Sequence, residues 1–213
     1  MNQKGILIVV SGFAGTGKGT LTKRLLQDYD NYALSVSMTT RNPRPGEREG
    51  IEYFFVTKEV FEEKIANDGL VEYACYVGNY YGTPKAYVEE KLEEGKDVIL
   101  EIEIQGALKI KEKFPDSVLI FVLPPSGPEL KARLVGRGTE TMEVIEKRMS
   151  RAVEESQGIE KYDYIVVNDD LDECTQALHN VIRAAHYAPG RNMSFISKIR
   201  NELVLEAKDR KGE

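Results

Sequence analysis

The segment Gly12-Phe13-Ala14-Gly15-Thr16-Gly17-Lys18-Gly19-Thr20 follows directly on the apolar run Ile6 to Val10 and leads into an amphipathic stretch. This order constrains the fold more than any other feature, because a buried strand that passes through a glycine loop into a helix opens a parallel strand-helix-strand unit. Glycines at the first, fourth and sixth places let successive backbone N–H groups turn inward, since no Cβ blocks the required dihedrals or the approach of a polyanion. Lys18 adds a mobile positive charge. The helix that starts beside it aims its unpaired amides and positive dipole end at the same point. The loop therefore reads as a cradle for the phosphates of a nucleoside triphosphate.

The rest of the chain keeps this rhythm. Apolar runs rich in valine and isoleucine recur at Val98 to Ile104, Val118 to Leu123 and Tyr164 to Val167. Helical spacing of apolar residues marks Lys18 to Gln27, Pro84 to Glu94, Gln105 to Lys113, Met142 to Glu155 and Leu171 to His186. The alternation predicts an α/β fold with a parallel sheet buried between helical layers, and a ligand crevice beyond the carboxyl ends of the strands. The glycine loop, Glu101, Glu103 and Asn168 then fall along one edge. Residues 34–83 break the rhythm with polar and aromatic runs and turn signals at Pro43, Pro45-Gly46 and Gly50, as an inserted lobe would. Residues 124–141 hold a proline pair, two glycines around Arg137 and few large apolar side chains, the composition of a mobile lid. After Pro189-Gly190, the spacing of Phe195, Ile196, Ile199 and Leu203 predicts a further amphipathic helix.

A formal charge of −6 argues against broad binding to nucleic acid or anionic membranes. The longest apolar runs are far short of a bilayer span and the start, MNQKG, lacks the apolar core of a secretion signal, so the cytoplasm is the expected location. Cys75 and Cys174 form no metal-ligand or paired-thiol spacing, and His179 and His186 read as packing or surface residues. Arginines are concentrated in two segments, Arg41, Arg44 and Arg48 in one, Arg133, Arg137, Arg148 and Arg151 in the other. Beside a phosphate loop, each cluster suits a small polyanion.

The residue after Lys18 is Gly19, where many such loops carry a hydroxyl that ligates magnesium, and Thr20 is turned about 100° further round the helix. Mg²⁺ is therefore expected to be held by phosphate oxygens and oriented waters.

Ser37-Met38-Thr39-Thr40-Arg41-Asn42-Pro43-Arg44-Pro45-Gly46-Glu47, with Gly50-Ile51-Glu52-Tyr53-Phe54-Phe55, resembles the nucleoside-monophosphate site of guanylate kinases. Further matches follow in order at Gly78 to Thr83, Gln105-Gly106, Arg133 to Thr141 and Val167 to Leu171, so the resemblance covers about residues 4–187. It implies a P-loop kinase core with an inserted GMP-binding lobe and a mobile lid. The boundaries are a kinase domain over 1–187, with core 1–33, 84–123 and 142–187, lobe 34–83 and lid 124–141, and a helical extension over 188–213. It also implies ATP and GMP as partners, ATP + GMP ⇌ ADP + GDP as the reaction with dGMP as a second acceptor, and Mg²⁺ as cofactor.

By the same resemblance, the loop Gly12, Phe13, Ala14, Gly15, Thr16, Gly17, Lys18, Gly19 and Thr20 binds ATP together with Arg133, Arg137 and Asn168, the last contacting adenine. Arg41 and Arg44 clamp the GMP phosphate through guanidinium forks, and Tyr53 and Tyr81 donate phenolic hydrogen bonds to it. Glu72 matches the guanine carboxylate, facing N1–H and the 2-amino group. Ser37 and Thr83 match the hydroxyls on the O6 side, and Glu101 an acid near the base. Adenine would set a lone pair against Glu72, which such a site rejects. Lys18, Arg41, Arg133, Arg137 and Arg148 are the expected catalytic charges, with Arg151 beside them, and Glu103 falls where an acid orders metal-bound water. Transfer needs alignment and charge compensation more than covalent chemistry, and no general base, because the accepting oxygen is already an anion.

Two other readings stay open at this point. Adenylate kinases often share Gly17-Lys18-Gly19-Thr20, although Glu72 and Thr83 favour guanine. Guanylate-kinase-like peptide-binding modules keep the fold without turnover, although those typically lose the phosphate loop. Oligomeric state is not fixed by the sequence.

Overall fold

The computed structural model describes residues 4–76, 78–136, 138 and 141–209. Strand β1 (Leu7–Gly12) is almost wholly buried and lies at the centre of a five-stranded parallel sheet. The sheet order is β2 (Tyr32–Leu34), β7 (Asp97–Glu101), β1, β8 (Val118–Leu123) and β9 (Tyr164–Val167). Successive residues of β1 serve opposite layers. Ile8 and Val10 pack with Leu21 and Leu25 of α1 (Lys18–Asp28) and Leu178 and Ile182 of α7 (Leu171–His186). Leu7 and Val9 pack with Val88 of α3 (Lys85–Glu93) and Ile110 of α4 (Ile104–Lys113). Both faces being covered explains why these strands read as unbroken apolar runs instead of alternating patterns.

Local signals fix the helix starts. The Asp170 carboxylate accepts from the Asp172 and Glu173 amides at 2.9 Å and opens α7, whose last turn carries Arg183 and His186. Thr141 opens α6 (Met142–Ser156) in the same manner, through the Val144 amide.

Within the segment expected to be an inserted lobe, Leu34 belongs to β2 of the main sheet, and a separate four-stranded sheet lies in the order β4 (Phe54–Phe55), β3 (Met38–Thr39), β6 (Asn79–Pro84) and β5 (Leu70–Tyr76). Its small core of Met38, Phe61 and Leu70 is distinct from that of the main sheet. Phe61 belongs to α2 (Lys58–Ala66), a helix that periodicity alone does not announce, because Phe61 is its one buried residue. Gly82 is required where β6 crosses β5, since a Cβ there would lie 2.7 Å from the Glu72 carbonyl oxygen and 3.0 Å from the Phe61 ring.

The segment expected to be a lid contains α5 (Gly127–Gly136). Leu130 and Leu134 of this helix are buried against Phe13 and Phe121, so two leucines suffice to seat it. The expected C-terminal helix is present as α8 (Met193–Asp209), with Phe195, Ile199, Leu203 and Leu205 exposed. No helix among the described residues is long and apolar enough to cross a membrane.

Candidate active site

The glycine loop crosses the carboxyl end of β1 and is held from three sides. Gly15 and Gly17 have φ of 95° and 84°, a region costly for residues with a Cβ. A Cβ on Gly17 would also come within 2.7 Å of Asn168 Nδ2, and one on Gly15 within 3.0 Å of Leu134. The buried Thr16 hydroxyl donates to the Phe13 carbonyl at 3.0 Å, and Phe13 rests edge-on against Phe121 at 5.1 Å. Lys18 reaches back along the loop and its ammonium donates to the carbonyls of Gly12 and Phe13. Gly19 and Thr20 are exposed at the start of α1.

Asn168 is buried and its amide donates to the Thr16 carbonyl at 2.8 Å. Its own carbonyl accepts from Arg133 Nη1 at 2.7 Å, while Arg133 Nε bonds Glu129 at 2.9 Å. The residue expected at adenine thus ties the phosphate loop to the helix that carries Arg133. Sequence spacing places Asn168 at the right edge without showing this bond.

Two clefts open on this edge. The smaller, about 410 Å³, is lined by Gly12, Ala14, Lys18, Arg148, Arg151, Glu155 and the segment Glu101 to Glu103. The larger, about 810 Å³, lies between the second sheet and α4, and Ser37, Tyr53, Glu72, Tyr81 and Glu101 are among its walls. Residues 101–103 line both. The buried Ser11 hydroxyl fixes that shared wall by donating to the Ile102 carbonyl at 2.7 Å, a contact that one serine at a strand end does not advertise.

Within the larger cleft, the Thr83 hydroxyl donates to Glu72 Oε1 at 2.8 Å. Burial raises the Glu72 carboxyl above the ordinary carboxylate range, opposed by the bonds from Thr83. Tyr53 and Tyr81 stand edge to face at 6.1 Å, and the Arg41 guanidinium lies 5.4 Å from the centre of the Tyr53 ring. Arg44 is exposed beside them.

In the smaller cleft, Arg151 pairs with both Glu103 and Glu155, and the Glu103 charge lifts the Arg151 guanidinium above its usual range. Glu103, expected at metal-bound water, is thereby engaged by a cation from α6. Arg148 lines the cleft beside it, and Arg137 lies outside the described residues. Among the described residues no cluster of three or more His, Cys, Asp or Glu side chains could hold a metal ion directly. Of the two thiols, Cys75 is exposed in the larger cleft, while Cys174 is buried and pushed up to about 11.

A parallel sheet whose first strand delivers a glycine cradle and lysine to a cleft lined by cations and carboxylates, beside a second cleft with a half-buried carboxylate and two phenols, defines a P-loop kinase. The comparisons carry this to a family. The family model described as guanylate kinase matches residues 4–185. The guanylate kinase of Latilactobacillus sakei is 49% identical over 203 residues, covering 95% of this chain and 100% of the relative. That of Halalkalibacterium halodurans is 53% identical over 184 residues, covering 86% and 90%. The crystal structure of guanylate kinase from Anaplasma phagocytophilum superposes with a TM-score of 0.67 at 34% identity, covering 89% of this chain and 90% of that one. The chain belongs to the guanylate kinase family.

Proposed function

We propose that this chain transfers the terminal phosphoryl group of ATP to GMP, and to dGMP, as a nucleoside monophosphate kinase. One observation carries the assignment of roles: the two clefts share the Glu101 to Glu103 wall, so a triphosphate seated on the glycine loop and a monophosphate in the larger cleft meet end to end. In-line transfer asks for that alignment.

The backbone amides of the loop and Lys18 hold the triphosphate, and Lys18 exchanges its loop carbonyls for phosphate oxygens. Arg133 and Arg148, with Arg137, offset the charge that spreads over the transferring group once water is excluded. Arg41, Arg44, Tyr53 and Tyr81 hold the acceptor phosphate. Glu72, oriented by Thr83, accepts from guanine N1–H and the 2-amino group, with Ser37 at the O6 side and Glu101 near the base. Asn168 acts through the loop that it ties down. The Glu103 carboxylate in the phosphate cleft suits Mg²⁺ held through water, in keeping with an ion reluctant to lose its hydration shell. Bound there, the ion would neutralise phosphate charge. The proposed place of action is the cytoplasm, in keeping with free purine nucleotides as substrates.

The test is turnover of GMP, dGMP, AMP, CMP and UMP side by side with ATP as donor. GMP and dGMP are expected to lead. A preference for AMP would reject the base assignment, and binding of nucleotide without turnover would favour the peptide-binding class of the fold.

A further inference from the structure

We propose that Glu47 is a positioning residue for the monophosphate site: its carboxylate aims the Arg41 guanidinium and pins the Arg44 backbone, presenting one edge of Arg41 to the acceptor phosphate. The proposal deepens the function above and rests on it.

The loop between the two arginines is built to bring Glu47 back. Pro43 and Pro45 restrict the chain, Gly46 takes a φ of 91°, and the Glu47 amide donates to the Arg44 carbonyl at 3.0 Å. The carboxylate then spans the outer edge of Arg41, accepting from Nη1 at 3.0 Å and Nη2 at 2.9 Å, and accepts from the Arg44 amide at 2.7 Å. Arg41 Nη1 also donates to the Asn42 carbonyl at 2.7 Å. The pair is 15% and 18% exposed, unlike rim pairs such as Lys147 and Glu143 at 74% and 77%, so its geometry is held by its surroundings.

A guanidinium has two forks. Glu47 takes the fork formed by Nη1 and Nη2. That leaves Nε and the second Nη2 hydrogen for a second oxyanion. The carboxylate is thus arranged as a holder of Arg41 and not as an occupant that phosphate must displace. The hydrogen bonds from the Arg41 guanidinium and the Arg44 amide hold the Glu47 carboxyl below the usual carboxylate range. A negative group beside a phosphate site repels the substrate, so orientation and repulsion act on GMP affinity with opposite signs, and measurement can separate them.

Wild-type turnover of GMP establishes the parent reading, and its absence removes both. In Glu47→Gln, KM for GMP is expected to rise about tenfold, equivalent to ~1.4 kcal/mol, with KM for ATP unchanged. Competition by guanosine, which carries no phosphate, should stay as in the wild type, and Glu47→Asp should recover part of the loss. A KM for GMP that falls or stays the same would show Glu47 to be a repulsive or idle neighbour. Guanosine competition weakened in parallel with GMP would show instead that the second sheet had come apart, and either result overturns the positioning role.

Discussion

Glu72 is asked to do two things that conflict. The role proposed for it needs the ionised form to accept from guanine, yet burial in the cleft wall favours the proton. The folded chain therefore binds that proton more tightly than the unfolded chain. Stability is lost as pH rises from the unfolded toward the folded value, and the deficit is complete above the folded value. Glu72→Gln keeps an acceptor for Thr83 and removes the charge. It is expected to raise the melting temperature of the ligand-free protein at neutral pH, with the gain vanishing in acid, while kcat/KM for GMP falls roughly 100-fold. A melting temperature that drops across the whole pH range would contradict this account. The carboxylate was legible in the sequence through its neighbours in the resembling motifs. Glu47 ends the motif that starts at Ser37, but its role depends on a turn bringing it back to Arg41, and Ser11 and Asn168 act on backbone oxygens that no side-chain pattern encodes.

At the scale of elements, the glycine loop and the α5 helix form one unit. Gly17 combines a left-handed backbone with an approach of 2.7 Å between its missing Cβ and Asn168. Gly17→Ala must strain the loop and displace the amide that holds it. The substitution is expected to cost about 1–3 kcal/mol, a few degrees of melting temperature, and to weaken ATP more than GMP. Thermal denaturation and paired binding titrations read both, and an equal loss for the two nucleotides would place the damage outside the loop. The main-sheet strands other than β2 were readable as unbroken apolar runs, and the helices between them by the spacing of their apolar residues. Helix α2 and the edge strand β2 were not, since α2 buries a single residue and β2 spans only Tyr32–Leu34. Residues 124–141 look loop-like from composition, but Leu130 and Leu134 are placed to seat a helix on Phe121.

Across the whole molecule, chemistry and cohesion sit at opposite ends of the sheet. The site occupies the carboxyl ends of the strands. At the other end, the buried Asp97 carboxylate accepts from the Ile6 amide at 2.8 Å and meets His186 Nε2 at 2.9 Å and 3.0 Å. It fastens the last turn of α7 to the first residues of the core, while His179 stacks on Tyr29 at 3.7 Å further up the same helix. Neither histidine contact was legible, because each partner is distant in sequence. Asp97→Ala leaves the buried Ile6 amide without its acceptor and removes the link to His186, and is expected to cost about 1–3 kcal/mol, seen as a lower urea midpoint. KM for either nucleotide should hardly move while the protein stays folded, and a large change in KM would reveal coupling between the two ends.

Residues 101–103 form a stretch of wall common to both clefts. A single compound that joins guanosine to adenosine through a chain of phosphates could straddle it and fill both sides at once. Its second half would bind at the high local concentration set by the first, so affinity would far exceed that of either nucleotide alone. The common wall also means that an inhibitor for one pocket can be extended toward the other by adding phosphates.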